Sequence, residues 1–351
     1  MTKDKSIFIK NIYYMLSYAF QVLNEQGYKN IATEYFPNTA ELMAAILEKG
    51  IAVQLKRGLG KEYIPQTEAL SSLRGKVDIA ESIKTQAMLR KQLICTYDEF
   101  SVNCSMNRII KSTVELLLHS NISKQRKKNL RKLMVYFSEV DFIDLHTVNW
   151  HVQYNRNNQT YRMLISICYL VVKGLLQTQS DGSIKLMDFL DEQRTCRLYE
   201  KFILEYYRKE FKNQLTANAS QIRWQLDDEE NSMLPVMQSD IMLQCGDRVL
   251  IIDAKYYEHS MQVQFDKHTL HSGNLYQIFT YVKNKEYELR DKEHTVSGML
   301  LYAKTDEEVY PNNVYQMSGN QITVRTLDLN LPFDEIAAQL NAIVQAHFDF
   351  S

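Results

Sequence analysis

Two short apolar runs flank a glycine-containing turn in the segment SDIMLQCGDRVLIIDAKYY (239–257), and they constrain the fold of this chain most strongly. Runs of four to eight residues rich in Ile, Val and Leu predict buried β-strands. Gly246-Asp247 between the runs suits a two-residue hairpin loop of type II′, in which glycine takes the first loop position. The sequence therefore predicts an antiparallel hairpin in which Cys245 pairs with Arg248.

This register places two acids opposite each other at the open end of the hairpin. Counting outward brings Asp240 across from Asp253, with Cβ atoms roughly 4.5–5.5 Å apart. Alternation along the strand puts Lys255 on the same face as Asp253. Two buried like charges are costly unless a metal or a counter-charge compensates them. A one-residue slip would separate the acids, and an edge strand with polar residues facing water is the competing interpretation.

An acid followed by acid-x-Lys on paired strands is typical of metal-dependent cleavage of phosphodiesters. Mg²⁺ accepts one or two carboxylates and keeps several waters. The ion stabilises charge on a phosphate and lowers the pKa of a bound water. A lysine beside it can orient that water or stabilise the negative charge that develops.

Further candidate side chains lie on two predicted helices. Gln277 and Tyr281 are spaced i and i+4 in NLYQIFTYV, so both can approach the same phosphate or water. On the long helix that precedes the hairpin, Glu200 or Glu205 could complete the metal shell. The two acids lie on opposite flanks of the apolar stripe at similar angles, so the pattern leaves both open.

The order of predicted elements indicates two domains in the 351 residues. An α+β domain of β-hairpins plus helices is expected over residues 1–160, and an α/β domain with a mixed sheet over 161–351. The predicted elements of the first domain include a helix over 39–49, a strand in IAVQLKRG, hairpins within 58–83, and helices over 104–120 and 123–138. The second domain is predicted to contain a long helix from about 186, the hairpin, a helix over 274–285 and a strand over 296–304.

Charge, cysteine content and hydropathy give no indication of a bulk nucleic-acid-binding protein, a disulfide-stabilised protein or a membrane protein. A net charge of −1 does not indicate bulk nucleic-acid binding, so contact with DNA must come from local patches or a partner. Five cysteines without a CxxC pair favour buried, reduced thiols in a cytoplasmic protein. The apolar run MLISICYLVV (163–172) is too short to span a bilayer, and no membrane association is expected. The basic run KQRKKNLRK predicts either a solvated helix face or a phosphate-binding strip.

Several segments resemble the McrC family, the nuclease subunits of McrBC modified-cytosine restriction systems. They are NIYYMLSYAF, LRGKVDIAESI, NRIIKST, and LIIDAKYY followed by HSGNLYQIFTYV, in order from about residue 7 to past 300. The resemblance implies a restriction-endonuclease-like PD-(D/E)xK domain. It assigns the two acids, the lysine and the QxxxY element of that motif to Asp240, Asp253, Lys255, Gln277 and Tyr281. Pro235 departs from the motif, since it lies five residues before the first acid.

The resemblance also implies cofactor and partners. It implies Mg²⁺ held by Asp240, Asp253 and the backbone carbonyl of Ala254, with Glu200 or Glu205 as a further ligand. It implies a McrB-like AAA+ GTPase hexamer that binds GTP itself, and double-stranded methylated DNA as substrate. The N-terminal part of McrC enters the McrB ring and stimulates GTP hydrolysis, and this chain has no G-x-x-x-x-G-K-[ST] loop of its own.

Basic residues of the N-terminal half are the candidates for contact with the GTPase. They are Lys56, Arg57, Lys61 and Arg74.

Two other functions stay open: a stand-alone RecB-like DNA nuclease, and a non-catalytic activator of a partner ATPase or GTPase. The intact Asp, Asp and Lys argue against the activator, and the long N-terminal region argues against the stand-alone enzyme.

Overall fold

The structure is a computed structural model that describes residues 3–4, 7–20, 31, 34–150, 152–155, 158, 160–181, 192–228, 233–256, 262–264, 267–304 and 310–348. The chain divides into two compact units. The inserted unit is Ala40–Leu176, and the composite unit is Met1–Thr39 together with Gln177–Ser351.

The helices and strands of the described residues have the following bounds. The α-helices are α1 (Ile9–Ala19), α2 (Thr39–Arg57), α3 (Ile79–Lys84), α4 (Ser105–His119), α5 (Lys124–Met134), α6 (Tyr161–Asp181), α7 (Glu192–Glu210), α8 (Ser272–Glu288) and α9 (Phe333–His347). The strands are β1 (Lys3–Asp4), β2 (Ile7–Phe8), β3 (Glu62–Leu70), β4 (Lys76–Asp78), β5 (Leu93–Ser101), β6 (Thr216–Asn218), β7 (Gln221–Ile222), β8 (Met237–Gln238), β9 (Ile241–Cys245), β10 (Arg248–Lys255), β11 (Gln262–Gln264), β12 (Lys267–Thr269), β13 (Thr295–Ala303), β14 (Asn313–Met317) and β15 (Asn320–Leu327).

A six-stranded mixed sheet organises the composite unit, in the order β14-β15-β13-β10-β9-β6. The strand pairs β10–β13 and β13–β15 are parallel, and the other neighbours are antiparallel. The predicted α/β domain with a mixed sheet is therefore confirmed. The long helix predicted from about residue 186 is α7, and residues 186–191 of that prediction lie outside the described residues.

One face of the sheet is covered by α8. Val249 and Ile251 of β10 share a buried cluster with Ile278 and Val282 of α8. The helix comes close because β13 has a glycine at this crossing: a Cβ on Gly298 would lie 2.8 Å from a Val282 side-chain carbon. Burial of this apolar face holds α8 against the sheet and fixes the position of the polar residues on its first two turns.

Helix α1 belongs to the composite unit. The sequence instead predicts α1 in a separate N-terminal domain over residues 1–160. Leu16 of α1 is fully buried, and the Tyr14 ring stacks on Phe333 of α9 with centroids 4.3 Å apart. The Asn11 side-chain amide donates hydrogen bonds of 2.7 and 2.8 Å to the carbonyls of Leu329 and Leu331. An amphipathic helix packs where its apolar face finds a partner surface, and α1 finds it on elements distant in sequence.

The inserted unit contains a three-stranded antiparallel sheet in the order β3-β5-β4. Strands β3 and β4 both pair with β5, so the hairpins predicted within 58–83 do not form between these two strands. The strand predicted in IAVQLKRG is also wrong, because α2 continues to Arg57. Ile51 and Gln54 of that segment are buried on the helix, and this tertiary packing overrides the local β-propensity of the sequence.

Helices α4 and α5 form where the sequence predicts helices at 104–120 and 123–138. Arg126 of the basic helix α5 pairs with Glu41 at 3.3 Å and Glu48 at 2.9 Å, both on α2. Other basic residues of α5, among them Lys128 and Arg131, are exposed. None of the helices among the described residues is long and apolar enough to cross a membrane.

Candidate functional site

The β9–β10 hairpin has the predicted register. Arg248 pairs with Cys245, and the pairs continue outward to Ile252 and Ile241. Gly246 has a φ of +58°, as the first loop position of a type II′ turn requires. The next two positions outward are Asp240 and Asp253, so the hairpin brings the two predicted acids together at its open end.

Asp253 is an almost completely buried acid, with 1% of its surface exposed. Lys255 Nζ lies 2.9 Å from Asp253 Oδ2, which forms an ion pair. Beyond this ion pair, neither carboxylate oxygen of Asp253 accepts a hydrogen bond from the residues that the structure describes. Asp240 is held differently, because its Oδ2 accepts a 2.9 Å hydrogen bond from the Ala254 backbone N–H.

Electrostatics make this pair of acids unfavourable without a cation. Burial raises the pKa of Asp253 above its usual value; the Lys255 ammonium lowers it in part, and the Asp240 charge raises it further. Burial also raises the pKa of Asp240, against the opposing effects of Lys255 and the Ala254 N–H. One lysine therefore offsets only part of the cost of two buried carboxylates.

The predicted residues of α8 connect to this lysine through side-chain hydrogen bonds. Lys255 Nζ lies 3.5 Å from Gln277 Oε1, to which it donates. The Gln277 side-chain N–H in turn donates to the Tyr281 hydroxyl at 3.0 Å. Gln277 thus fixes Lys255, and Tyr281 fixes Gln277, so the i, i+4 pair acts on the ammonium that faces Asp253.

The structure distinguishes between the two glutamates of α7. Glu205 Oε1 forms an ion pair with Arg208 Nη1 at 2.7 Å, so the Glu205 charge is already compensated by this arginine. Glu200 lines the same groove as Asp240. Burial and the charge of Asp240 raise the pKa of Glu200, as expected for an acid close to the pair. Glu200 is therefore the candidate that the fold brings to the site.

Cys196 is a residue of this site that sequence reasoning missed. Its thiol donates to Glu200 Oε1 at 3.1 Å and lies 3.7 Å from the Ala254 carbonyl oxygen. In the sequence, the feature that could have indicated Cys196 was its i, i+4 spacing from Glu200, which places both side chains on one face of α7. The isolated cysteine carried no spacing that would have distinguished it from a core thiol.

A divalent cation fits the donor set. The two Asp253 oxygens are buried and, apart from the Lys255 ion pair, have no hydrogen-bond donor among the described residues, and Asp240 lies opposite Asp253. The described residues contain no cluster of three or more His, Cys, Asp or Glu side chains arranged for a metal. Mg²⁺ needs only one or two carboxylates and keeps its waters, and a backbone carbonyl such as that of Ala254 is an acceptable further ligand.

The four basic residues predicted to contact a partner are all exposed in the inserted unit. Lys56 and Arg57 lie in the last turn of α2 and not in a hairpin. The Lys61 ammonium lies 5.8 Å from the centroid of the Phe100 ring, and the Arg74 guanidinium lies 3.9 Å from that of Tyr97. The two latter residues therefore stand over aromatic rings of β5.

Large apolar side chains are exposed along residues 63–100 of the inserted unit, a feature that sequence reasoning missed. The Leu89 side chain is 81% exposed and Tyr63 is 72% exposed. The others in this group are Leu73, Ile79, Ile83, Met88 and Phe100. We call these seven residues the apolar group. Exposed apolar side chains are typical of contact surfaces for other proteins when they form a contiguous patch.

The fold and the candidate site together define an α/β protein with two acids and a lysine at the ends of neighbouring strands of a mixed sheet. The chain belongs to the family described as McrBC 5-methylcytosine restriction system component, whose model matches residues 3–303.

A relative from Escherichia coli strain K12, described as the type IV methyl-directed restriction enzyme EcoKMcrBC, is 29% identical over 329 residues and aligns over 92% of each chain. Two solved structures from Thermococcus gammatolerans are also similar. One is described as a half-complex of McrB AAA+ hexamers with bound McrC, with 18% identity, a TM-score of 0.48, and 95% of this chain and 76% of that one covered. The other, a McrBC complex, has 22% identity, a TM-score of 0.40 and 58% of each chain covered.

Proposed function

We propose that this chain is the DNA-cleaving subunit of a GTP-dependent restriction system for DNA with modified cytosines. It acts in the cytoplasm as a Mg²⁺-dependent endonuclease, together with a McrB-like AAA+ GTPase hexamer. The observation that carries the proposal is the buried carboxylate of Asp253, which lies across from Asp240 and whose one cationic contact among the described residues is Lys255 at 2.9 Å. Family membership supports methylated double-stranded DNA as the substrate class.

Each residue of the site has a role in this proposal. Asp240, Asp253 and the Ala254 carbonyl hold the cation, with Glu200 beside them. Bound Mg²⁺ would supply charge stabilisation at the scissile phosphate and a more acidic water. Lys255 orients the attacking water or stabilises the negative charge on the phosphate, because its ammonium faces Asp253.

Gln277 and Tyr281 act through Lys255. The hydrogen bonds of 3.5 Å from Lys255 to Gln277 and 3.0 Å from Gln277 to Tyr281 restrict the rotamers of a long flexible side chain. A pre-positioned ammonium loses less entropy when the substrate binds, so these two residues support the rate without contacting the reacting atoms.

The inserted unit is the part that we propose to contact the GTPase. The apolar group supports this assignment, since surfaces of this kind bind partners. Lys61 and Arg74 lie over aromatic rings of the same strand and can add charged contacts. Lys56 and Arg57 at the end of α2 remain candidates for the same contact.

Plasmid cleavage tests the nuclease proposal. Methylated plasmid is incubated with the full chain, with and without the McrB-like partner, GTP and Mg²⁺. We expect cutting only when all components are present, and none by Asp253→Asn. Cutting without partner or GTP would favour the stand-alone nuclease, and stimulation of GTP turnover without any cutting would favour the non-catalytic activator.

A matched pair of surface variants tests the partner surface. Leu89→Asp places a charge in the apolar group, and Val314→Asp places one at a 58% exposed valine of the composite unit. We expect Leu89→Asp to lower the stimulation of GTP hydrolysis and Val314→Asp to leave it unchanged, because only the former disturbs the contact. Equal stimulation by both variants would show that the apolar group does not contact the GTPase.

A further inference from the structure

A groove of about 390 Å³ lies beside the candidate metal site in the composite unit. Glu200 and Asp240 form part of its wall, so the groove begins at the acids of the site. Arg197 and Lys201 of α7 line it as well. The groove offers a polynucleotide strand a path to the acids.

The acids of the site repel the phosphates that they must approach. A strand next to them therefore needs a cation on the protein that is not already engaged. The Lys201 ammonium lies 4.2 Å from the centroid of the Phe20 ring, which holds it toward α1. Arg197 is exposed, and its charge lowers the pKa of the nearby Glu200 in part, but within the part of the chain that the structure describes its guanidinium has no ion-pair or hydrogen-bond contact.

The position of Arg197 on the helix matches this need. Arg197 and Glu200 are spaced i and i+3, which places their Cβ atoms about 5–6 Å apart on one face of α7. The arginine side chain is long enough to contact a strand in the groove that both residues line. Its planar guanidinium can bind a phosphate through two parallel N–H groups.

We propose that Arg197 binds a backbone phosphate of the DNA strand next to the phosphate that is cut, and that the groove is the path of that strand. This inference rests on the proposed nuclease function. Arg197 contributes binding and alignment of the strand, whereas Asp240, Asp253 and Lys255 act at the scissile phosphate. The competing role is an ion pair that holds Glu200 in place, which would be structural and independent of DNA.

Single-turnover cleavage by the complete system, at DNA concentrations below saturation, tests the proposal. The variants are Arg197→Ala, Arg197→Lys and, as matched control, Arg290→Ala. Arg290 is an exposed arginine of the same unit whose guanidinium lies 3.9 Å from the centroid of the Tyr287 ring, just past the C-terminal end of α8. The cleavage rate is measured across a series of salt concentrations, and GTP turnover is measured in parallel.

We expect Arg197→Ala to cut about tenfold more slowly, as for the loss of one charge-assisted hydrogen bond at an exposed position. Its rate should fall less steeply with salt, with a log–log slope smaller by about 0.9, because one phosphate contact is lost. Arg197→Lys should keep most of the salt dependence and part of the rate. Arg290→Ala should match the wild-type protein, and GTP turnover should be unchanged in all variants.

Two results would overturn the inference while leaving the nuclease proposal intact. One is wild-type cutting by Arg197→Ala when Asp253→Asn is inactive. The other is slower cutting with an unchanged salt slope, which would assign Arg197 a structural role. If Asp253→Asn cuts as well as the wild-type protein, the nuclease proposal itself fails. Arg197→Gln replaces the alanine variant if thermal unfolding shows that the latter does not fold.

Discussion

Asp253→Asn should make the metal-free protein more stable while it abolishes cleavage. Burial, with the charge of Asp240, raises the pKa of Asp253 from 3.8 to about 7. An acid whose pKa is higher in the folded state destabilises the fold once it ionises. The penalty is absent below pH 3.8, grows as the pH rises to about 7, and is complete above that.

The magnitude follows from this difference. At 1.36 kcal/mol per pKa unit, ionised Asp253 costs the fold about 4 kcal/mol at pH 8. Asparagine removes the charge but buries an amide, and a buried polar group without a hydrogen bond costs about 1–3 kcal/mol. The net expectation is that Asp253→Asn raises the free energy of unfolding by about 2 kcal/mol, which raises Tm by about 4–8 °C for a unit of this size.

Thermal unfolding with EDTA present, at pH 8 and at pH 4, measures this effect. The difference between variant and wild type should shrink strongly at pH 4, because Asp253 is protonated in the folded state there and only about half ionised in the unfolded state, so little of the penalty has developed. Added Mg²⁺ should stabilise the wild-type protein, by about 1.4 kcal/mol at ten times its Kd, and should not stabilise the variant to the same extent. The matched control is Asp328→Asn, at a partly exposed acid 2.6 Å from Lys304, which should not gain stability at pH 8.

A lower Tm for Asp253→Asn at pH 8 would refute the reasoning. It would mean that the ion pair with Lys255 stabilises the fold and that the carboxylate is structural. A response of the variant to Mg²⁺ equal to that of the wild-type protein would locate the metal elsewhere.

Three further substitutions test the packing of the composite unit and the hydrogen bond that positions Lys255. Leu16→Ala removes a fully buried side chain of α1 and should lower the free energy of unfolding of the composite unit by about 2–5 kcal/mol. Val314→Ala, at an exposed position, is its control, and equal effects would contradict the placement of α1. Gly298→Ala puts a Cβ 2.8 Å from side-chain carbons of α8 and β15 and should cost about 1–3 kcal/mol, so an unchanged Tm would argue against this close packing. Gln277→Leu removes the acceptor of Lys255 and should slow single-turnover cleavage about tenfold without unfolding the protein; wild-type cutting would show that the lysine needs no such support.

The placement of α1 also determines how the two units can be separated experimentally. A truncation of residues 1–160 would remove α1, and with it Leu16 and the ring contact between Tyr14 and Phe333, from the core of the composite unit. Loss of cleavage in such a fragment would then report misfolding. Point substitutions in the apolar group avoid this ambiguity, because those side chains are exposed.

Local sequence determined the hairpin and the acids at its end. Gly246 permits the positive φ of the turn, and the apolar residues that follow it can be buried only in one register. Because side chains alternate along a strand, that register fixed Asp240, Asp253 and Lys255 on one face. The spacing of Gln277 and Tyr281 was likewise sufficient, since a helix repeats every 3.6 residues.

Only the tertiary structure decided between Glu200 and Glu205, because both lie at the flanks of the same apolar stripe and their partners are distant in sequence. Arg208 satisfies Glu205, whereas the segment before β9 brings Asp240 to the groove that Glu200 lines. The membership of α1 in the composite unit and the extension of α2 to Arg57 were decided in the same way. In each case the sequence fixes which face is apolar, and the element that covers this face is known only when the whole chain has folded.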